Sequence, residues 1–225
     1  MSLVPATPEA IKQAAEALVR GDIVAFPTET VYGLGANALD ARAVAKVFAA
    51  KGRSSSKPLV VLVPDLAKAE DFADVNATAL KLAQAFWPGP LTLVLPKRQD
   101  CTIAEPVNAG LDTIAVRAPD HRVAQALLAA SGLPIVAPSA NRSGQPSPKT
   151  AAQVEAELGD RPAMILDGGP SPLGRESTIV SLAGPAPTLL RQGALPREAI
   201  EDILGQRLSS PAGASAGADA SQRQP

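Results

Sequence analysis

The sequence contains one histidine and one cysteine, His121 and Cys101, among 225 residues. A single cysteine excludes an intrachain disulfide framework, and one histidine excludes a two-histidine metal site built from this chain alone. A Ser-His-Asp triad would have to use His121. We interpret His121 instead as a surface residue in the first turn of a helix. The chemistry of the protein must therefore depend on other residue types.

Long apolar runs and aromatic residues are also scarce. No stretch is long and uncharged enough to predict a membrane span, and MSLVPATPEA lacks the basic start and apolar core of a secretory signal. We therefore expect a cytoplasmic protein with no membrane partner. Aromatic residues make up 3% of the chain and the formal net charge is −1. These values argue against a protein that coats nucleic acid over its whole surface.

Helix-like and strand-like segments alternate along the chain. TPEAIKQAAEALVRG predicts a helix with Thr7 as its N-cap, and DARAVAKVFAAKG predicts another that begins at Asp40. Apolar runs such as DIVAF, PLVVLV, LTLVLP and TIAVRAP predict strands. The alternation predicts an α/β fold, with one domain built on a large twisted, mixed β-sheet flanked by helices.

The composition changes after Gly205. SSPAGASAGADASQRQP is made of small and polar residues with little to bury, so it is predicted to be disordered. We expect a catalytic domain over residues 1–206 and a disordered C-terminal tail over residues 207–225.

Polar motifs follow five of the predicted strands: FPTETVYGLG, VRAP, APSANRSGQPSP, DGGPSPLGREST and LLRQG. Turns alone require Pro, Gly and Ser, but not the Arg, Asn and Thr side chains that these motifs also carry. In open α/β sheets, ligand sites form in the crevice outside the strand ends. We therefore expect the five motifs to surround one cleft.

A run of positive charge lies between residues 41 and 64, where no acid occurs. Its five cations are Arg42, Lys46, Lys51, Arg53 and Lys57. A cation at a helix C-terminus has a plain dipole explanation, which suffices for Lys51 alone. The cluster in AKGRSSSKP suits a polyphosphate, because Arg offers a bidentate fork and Lys a mobile point charge. A solvated basic surface is the alternative.

Two nucleotide-binding signatures are absent or weak. The sequence has no GxxxxGK[ST] motif. GLGANA has two glycines after a strand, but no acid occupies the position about twenty residues further on that would bind a ribose. A dinucleotide-binding oxidoreductase is therefore a weak alternative.

Six stretches together resemble one family. FPTETVYGLGANA, KGRSSSKPL, DTIAVRAP, APSANRSG, GRESTIV and LLRQGAL look like the motifs of the YrdC-type threonylcarbamoyl-AMP synthases, in the family's order and spacing. The resemblance runs from about residue 8 to about residue 204 and is closest to the short, single-domain form. It implies a YrdC-like fold.

The resemblance also implies an activity. These nucleotidyltransferases convert L-threonine, bicarbonate and ATP to threonylcarbamoyl-adenylate and pyrophosphate, with Mg²⁺ accompanying ATP. Downstream proteins then transfer the threonylcarbamoyl group to the adenosine next to the anticodon of tRNAs that read ANN codons. The reaction needs two anions held in line and neutralised, and no enzyme nucleophile.

Site residues follow from the resemblance position by position. It implies that L-threonine is bound by Thr30, Arg117 and Ser177. It implies that ATP is bound by Arg53, Lys57, Thr113, Ser139, Ser147 and Arg191. Lys51 and Arg53 match the family's KxR pair, and Ser139 and Asn141 match its SxN pair. The resemblance implies that these four residues are catalytic. The chain departs from the family at Leu62, where many relatives have a histidine, at Ala137, where some have a threonine, and at Lys57, where others have an asparagine.

Two further alternatives remain open from the sequence. A non-catalytic RNA-binding module would use the cation run, and weak tRNA binding is compatible with the enzyme as well. A related domain occurs within hydrogenase-maturation carbamoyltransferases, although this sequence shows no acylphosphatase or zinc-finger segment.

Overall fold

The computed structural model describes residues 2–210, and within them ten strands form one sheet in the order β1-β8-β2-β3-β7-β4-β6-β5-β9-β10. The strands are β1 (Ser2–Pro5), β2 (Val24–Phe26), β3 (Gly33–Asn37), β4 (Val60–Leu62), β5 (Leu91–Pro96), β6 (Thr113–Arg117), β7 (Ile135–Val136), β8 (Met164–Asp167), β9 (Thr178–Ser181) and β10 (Thr188–Arg191). The sheet contains both parallel pairs, such as β4 with β6, and antiparallel pairs, such as β5 with β6. The predicted mixed sheet is confirmed.

Seven α-helices connect these strands within the described residues. They are α1 (Pro8–Val19), α2 (Ala41–Lys51), α3 (Leu66–Ala69), α4 (Ala77–Phe86), α5 (Arg122–Ser131), α6 (Ala151–Leu158) and α7 (Arg197–Leu204). The predicted caps are confirmed: Thr7 accepts from Ala10 N, and Asp40 accepts from Arg42 N. No helix among residues 2–210 has the length and hydropathy that a bilayer span requires.

His121 is the N-cap of α5 and not a first-turn surface residue. Its side chain is half-buried, and Nδ1 accepts a hydrogen bond from Val123 N at 3.2 Å. The prediction placed this histidine one position too far into the helix, because histidine is an unusual N-cap compared with Ser, Thr, Asp or Asn.

Strand β3 lies where the sequence predicts the loop that follows β2. β3 pairs antiparallel with β2 on one side and with β7 on the other. Glycine is depleted in strands, so the two glycines of GLGAN do not favour the prediction of a central strand. A dinucleotide fingerprint needs its glycines in a turn that opens a helix, and this position contradicts that alternative.

The two faces of the sheet are covered unequally. On the first face, residues from β2 to β9 pack against α2, α4, α6 and α7. On the second face, α1 and α5 cover β2, β4, β7 and β8, where Phe26 and Leu62 lie fully buried. The same face of β5, β6 and β9 presents half-exposed residues, such as Val94, Ala115 and Ile179. Half of the second face is therefore open.

Leu208 and Ser209 contact the folded domain, so the ordered chain extends beyond the predicted boundary at residue 206. Leu208 is 3% exposed. Leu189 N donates to Ser209 O, and Ser209 N donates to Pro187 O, both at 2.9 Å. A lone leucine among small and polar residues gave no pattern that could reveal its place in the core. The rest of the predicted tail, residues 211–225, lies outside the described residues.

Gly35→Ala tests whether β3 needs its glycine for packing. A Cβ at this position would lie 2.6 Å from Phe26 Cε1 and 3.0 Å from Ile135 Cγ2. We expect overpacking to lower the free energy of unfolding by about 1–3 kcal/mol in urea denaturation. Gly184→Ala is the control, because a Cβ there meets nothing within 4 Å. Equal stability of the two variants would contradict this account of β3.

Candidate active site

One cavity of about 150 Å³ lies where the cover of α1 and α5 on the second face ends. Its wall is formed by Thr30, Val31, Arg53, Pro58, Leu59, Val60, Arg117, Ala137, Pro138, Ser139, Glu176, Ser177, Ile179 and Arg191. Each of the five polar strand-end motifs contributes at least one of these residues, and the basic loop between α2 and β4 contributes three. The single cleft expected from the motifs is present.

Six of the predicted site residues lie on this wall: Thr30, Arg53, Arg117, Ser139, Ser177 and Arg191. The other five do not line it: Lys51, Lys57, Thr113, Asn141 and Ser147. The structure therefore separates residues that can meet a ligand directly in this cavity from residues that support its wall or lie beyond it.

The FPTETVYGLG segment ties the loops of the cavity together. Tyr32 N donates to Pro148 O at 2.9 Å, and Leu34 N donates to Pro138 O at 2.8 Å. The buried Tyr32 hydroxyl donates to Gly169 O at 2.7 Å. Two loops, the one between β7 and α6 and the one after β8, are thereby fixed to one segment. The linkage uses the backbone of Tyr32 and Leu34 and the Tyr32 hydroxyl.

Thr30 combines a cavity position with a hydrogen-bonded hydroxyl. Its Oγ1 lies 2.8 Å from Thr28 Oγ1, whose own hydroxyl donates to Val31 O at 2.7 Å. Because the Thr28 proton is used on that carbonyl, Thr30 donates to Thr28 Oγ1 and presents lone pairs. A turn hydroxyl of this kind can still accept a hydrogen bond from a ligand.

Lys51 is buried behind the wall, where it organises the segment carrying Ser139. The Lys51 ammonium donates to the backbone carbonyls of Ser139 and of Asn141, the latter at 2.6 Å. Burial, reinforced by the nearby Arg53 charge, lowers the pKa of Lys51 to about 8. Gly52 ends α2 with φ 58°, a left-handed conformation that turns the chain from Lys51 toward the cavity.

The other cations of the basic run have different surroundings. Arg53 lines the cavity and donates to Pro58 O at 3.1 Å, and its buried Nε has no partner among the described residues. Lys57 and Arg42 are exposed. Lys46 pairs with Asp22 at 3.2 Å. The run is thus not one phosphate cradle, since only Lys51 and Arg53 reach the cavity or its support.

Arg117 is a buried cation at the end of β6. Its Nε donates to Gly89 O at 3.1 Å, and Nη2 lies 2.7 Å from Glu29 Oε1. The Glu29–Arg117 contact is an ion pair and not an aligned hydrogen bond, because neither atom meets hydrogen-bond geometry with a partner. The guanidinium therefore keeps unused N–H groups beside the cavity.

Ser177 and Arg191 connect the two predicted ligand sets. Arg191 donates to Ser177 O from Nε at 3.0 Å and from Nη2 at 2.8 Å, and Nη2 also lies 3.1 Å from Ser177 Oγ. Ser177 Oγ lies 2.8 Å from Thr92 Oγ1. A predicted threonine-binding residue and a predicted ATP-binding residue are therefore in direct contact.

Ser147 acts on the wall through Glu176. The Ser147 hydroxyl donates to Glu176 Oε1 at 2.6 Å, and this hydrogen bond is the main reason why the pKa of Glu176 is lowered. Burial opposes the shift, and the charges of Arg191 and Arg175 add to it. Glu176 therefore stays ionised beside the arginines.

The remaining predicted residues lie near the cavity. The amide of Asn141 donates to Arg142 O and Gln145 O, so it shapes the loop after β7. Thr113 is half-exposed on the same face of β6 as Arg117, about 13 Å away along the strand. Of the departures from the family, Ala137 lines the cavity, whereas Leu62 is buried beneath α1 and α5.

Positive charges outnumber negative ones on the wall. Arg53, Arg117 and Arg191 face a single carboxylate, Glu176. Burial is the main cause that lowers the pKa of Arg53 and of Arg191, and the charges of Arg117 and Arg53 lower that of Arg191 further. Such a surface favours anions, since a bound anion relieves both the repulsion and the loss of solvation.

Sequence reasoning missed both acids near the site, Glu29 and Glu176. Each lies inside a motif that was quoted for other residues, TET and REST. Glu29 is the only acid between Asp22 and Asp40, so an isolated charge in an apolar and polar stretch was the available signal. Among the described residues, no group of three or more His, Cys, Asp or Glu is placed to hold a metal ion.

The family model called Sua5/YciO/YrdC, described as telomere recombination, matches residues 16–193. The match covers well over half of the chain, and the chain belongs to this family. The crystal structure of Pyrococcus abyssi Sua5 complexed with L-threonine has a TM-score of 0.89 and 45% identity, and the similarity covers 95% of this chain and 62% of that one. The YrdC-like fold is thereby confirmed.

Two curated relatives share a name. Threonylcarbamoyl-AMP synthase of Bacillus subtilis (strain 168) is 50% identical over 196 residues, which are 87% of this chain and 56% of that protein. Threonylcarbamoyl-AMP synthase of Pyrococcus abyssi (strain GE5 / Orsay) is 47% identical over 203 residues, which are 90% of this chain and 59% of that protein. The chain thus spans less than two thirds of the length of these relatives.

Arg53→Gln tests the electrostatic coupling behind the wall. Removing the Arg53 charge removes one cause of the low pKa of Lys51, so we expect that pKa to rise from about 8. NMR titration of the Lys51 side chain measures the shift. Lys57→Gln is the matched control, because Lys57 is exposed and is not among the causes of the shift. A Lys51 pKa that stays unchanged in Arg53→Gln would contradict the coupling.

Proposed function

We propose that the protein is an L-threonylcarbamoyladenylate synthase, a nucleotidyltransferase that forms threonylcarbamoyl-AMP and pyrophosphate from L-threonine, bicarbonate and ATP. Family membership and the two relatives of that name support the proposal. The observation that carries it is the contact between Ser177 and Arg191 on a wall shared with Arg117 and Arg53. The reaction needs its amino acid and its nucleotide side by side, and this wall presents groups suited to each.

The amino acid would bind at the end of the cavity nearest Arg117. The unused N–H groups of the guanidinium suit a carboxylate, which free threonine carries. The lone pairs of Thr30 Oγ1 can accept a hydrogen bond from the substrate. The Ser177 hydroxyl can accept a hydrogen bond from the substrate or donate one to it.

The nucleotide would bind between Arg53 and Arg191. Their charges would offset the phosphates, while Ser139 is held by Lys51 at the same wall. Thr113 lies where a ligand extending along the open face of β6 would reach it. Ser147 would act by fixing Glu176, and Lys57 by adding exposed positive charge to the loop between α2 and β4.

The chemistry proceeds in two steps. The amine of threonine and bicarbonate form a carbamate with loss of water, and a carbamate oxygen then attacks the α-phosphate as pyrophosphate leaves. The protein brings the two anions together and neutralises them, and the reaction requires no covalent attachment to a side chain. Lys51 and Asn141 contribute by holding the loop of Ser139 in place.

Mg²⁺ is expected to arrive with ATP. Magnesium takes one or two protein carboxylates together with phosphate oxygens and waters, and Glu176 is the ionised carboxylate that the wall offers. When bound, the ion supplies further neutralisation of phosphate charge. The product would pass to tRNA-modifying transfer proteins in the cytoplasm, and weak tRNA binding by this chain is compatible with that role.

Pyrophosphate release by the purified chain with ATP and Mg²⁺ tests the proposal, with L-threonine or bicarbonate omitted in turn. We expect release only when both are present. Release that needs threonine but not bicarbonate would indicate amino-acid adenylation instead. Absence of release by a folded chain that binds RNA would favour the non-catalytic module.

Two substitutions test the division of the wall. Arg53→Ala should mainly raise the KM for ATP, and Arg117→Ala should mainly raise the KM for threonine. Each loses a charge-assisted hydrogen bond, so we expect changes of roughly 10- to 100-fold in steady-state pyrophosphate assays. Arg42→Ala, an exposed arginine of the same basic run, is the control. Unchanged constants in either site variant would remove that residue from the proposed site.

A further inference from the structure

Glu29 is a buried acid to which neither the family motifs nor the cavity wall gives a role. It lies in the turn after β2, and its side chain is 7% exposed. Leu173 N donates to its backbone carbonyl at 2.9 Å, so its main chain is tied to the loop before β9. Glu29 does not itself line the cavity, whereas its partner Arg117 does. The ion pair with Arg117 therefore links the Glu29 side chain to the cavity wall.

Two different segments hold the guanidinium of Arg117. Gly89 O, in the loop after α4, accepts from Nε at 3.1 Å, and Glu29 Oε1 lies 2.7 Å from Nη2. Among the described residues, the guanidinium makes no hydrogen bond other than the one to Gly89. A guanidinium restrained at two atoms keeps its plane fixed, and its remaining N–H groups form a fork that fits a carboxylate.

The pair differs from the other Arg–Glu pair within the described residues. Arg197 and Glu201 form an aligned hydrogen bond at 2.6 Å on α7, with both side chains partly exposed. The Glu29–Arg117 pair is almost fully buried and lacks that alignment, and Glu29 Oε2 has no partner in the described part of the chain. A pair selected only for stability would be expected to satisfy more of its buried oxygens.

We propose that Glu29 is a positioning residue, which holds the Arg117 guanidinium toward the cavity so that it binds the carboxylate of the amino-acid substrate. The inference rests on the proposed function, in which Arg117 contacts that carboxylate. Without Glu29, the guanidinium keeps only the Gly89 contact and samples more rotamers. The loss of orientation then appears as weaker amino-acid binding, while ATP binding through Arg53 and Arg191 is spared.

A double-mutant cycle tests this through the KM for threonine. Glu29→Gln should raise this KM roughly 10-fold and leave the KM for ATP within about 2-fold, because the affected group binds only the amino acid. In an Arg117→Gln background, adding Glu29→Gln should change nothing further. Glu201→Gln is the matched control, since it weakens an Arg–Glu pair outside the cavity wall.

The proposal would be overturned if the fold-increases in the KM for threonine of the two single variants multiplied in the double variant. An unchanged KM for threonine in Glu29→Gln would also overturn it. If Glu29→Gln alone does not fold, the comparison of Arg117→Gln with the double variant still decides. Removal of both charges leaves no unpaired ion. Equal KM values for threonine would support the proposal, and unequal ones would overturn it.

A ligand-free measurement separates this inference from the proposed activity. The NMR signal of Arg117 Nε–H, identified by its loss in Arg117→Gln, should exchange with solvent at least about 10-fold faster in Glu29→Gln than in the parent or in Glu201→Gln. Unchanged exchange would overturn the positioning role whatever the turnover. Faster exchange in a chain that releases no pyrophosphate would support the positioning of Arg117 and contradict the proposed function alone.

Discussion

Backbone carbonyl oxygens hold the cations of the cavity, and the architecture of the site depends on this arrangement. Lys51 donates to the carbonyls of Ser139 and Asn141, Arg53 to that of Pro58, Arg117 to that of Gly89 and Arg191 to that of Ser177. A carbonyl stabilises a cation without cancelling its charge, whereas a carboxylate cancels it. Among the described residues, Arg117 is the one of these cations that is also ion-paired with a carboxylate, that of Glu29. The positive field therefore remains available to a ligand, and the loops that supply the carbonyls become fixed to one another.

The incomplete helical cover of the sheet explains where a ligand can reach these positive charges. Helices α1 and α5 seal one half of the second face with an apolar cluster, and the other half is left half-exposed. At the border, side chains from β4, β6, β9 and β10 can be partly desolvated and still reach a ligand. Burial there lowers the pKa of Lys51, Arg53 and Arg191. Anions gain most at such a position, because the cations are already stripped of much of their water.

Local patterns in the sequence were enough to predict most helices, the mixed sheet and the motifs that meet at the cavity. Thr7 and Asp40 cap helices through bonds to residues close in the sequence, and such bonds are predictable. Strand β3 was missed because pairing on both sides, and not the propensity of its glycines, makes it a strand. The Glu29–Arg117 pair was missed because it joins segments far apart in the sequence.

Contacts between distant segments also explain why the sequence alone did not distinguish the roles of the cations between residues 41 and 64. Lys46 forms a salt bridge with Asp22, and Lys51 donates hydrogen bonds to two backbone carbonyls. These contacts join residues far apart in the sequence and exist only in the folded chain. The predicted start of the tail after residue 206 is too early for a similar reason, because Leu208 is buried in a core that forms only when distant segments pack together. Tertiary contacts of this kind leave no periodic trace in the sequence.

The most direct test of the account follows the carbon of bicarbonate. The chain is incubated with ATP, Mg²⁺, ¹³C-bicarbonate and ¹⁵N-threonine, and ¹³C NMR spectra are recorded during turnover. The account predicts a new carbonyl resonance split by both ¹⁵N and ³¹P, because one carbon becomes joined to the threonine nitrogen and to AMP through oxygen. A nucleotide product that contains threonine without the ¹³C label would contradict the claim that this cavity unites all three substrates.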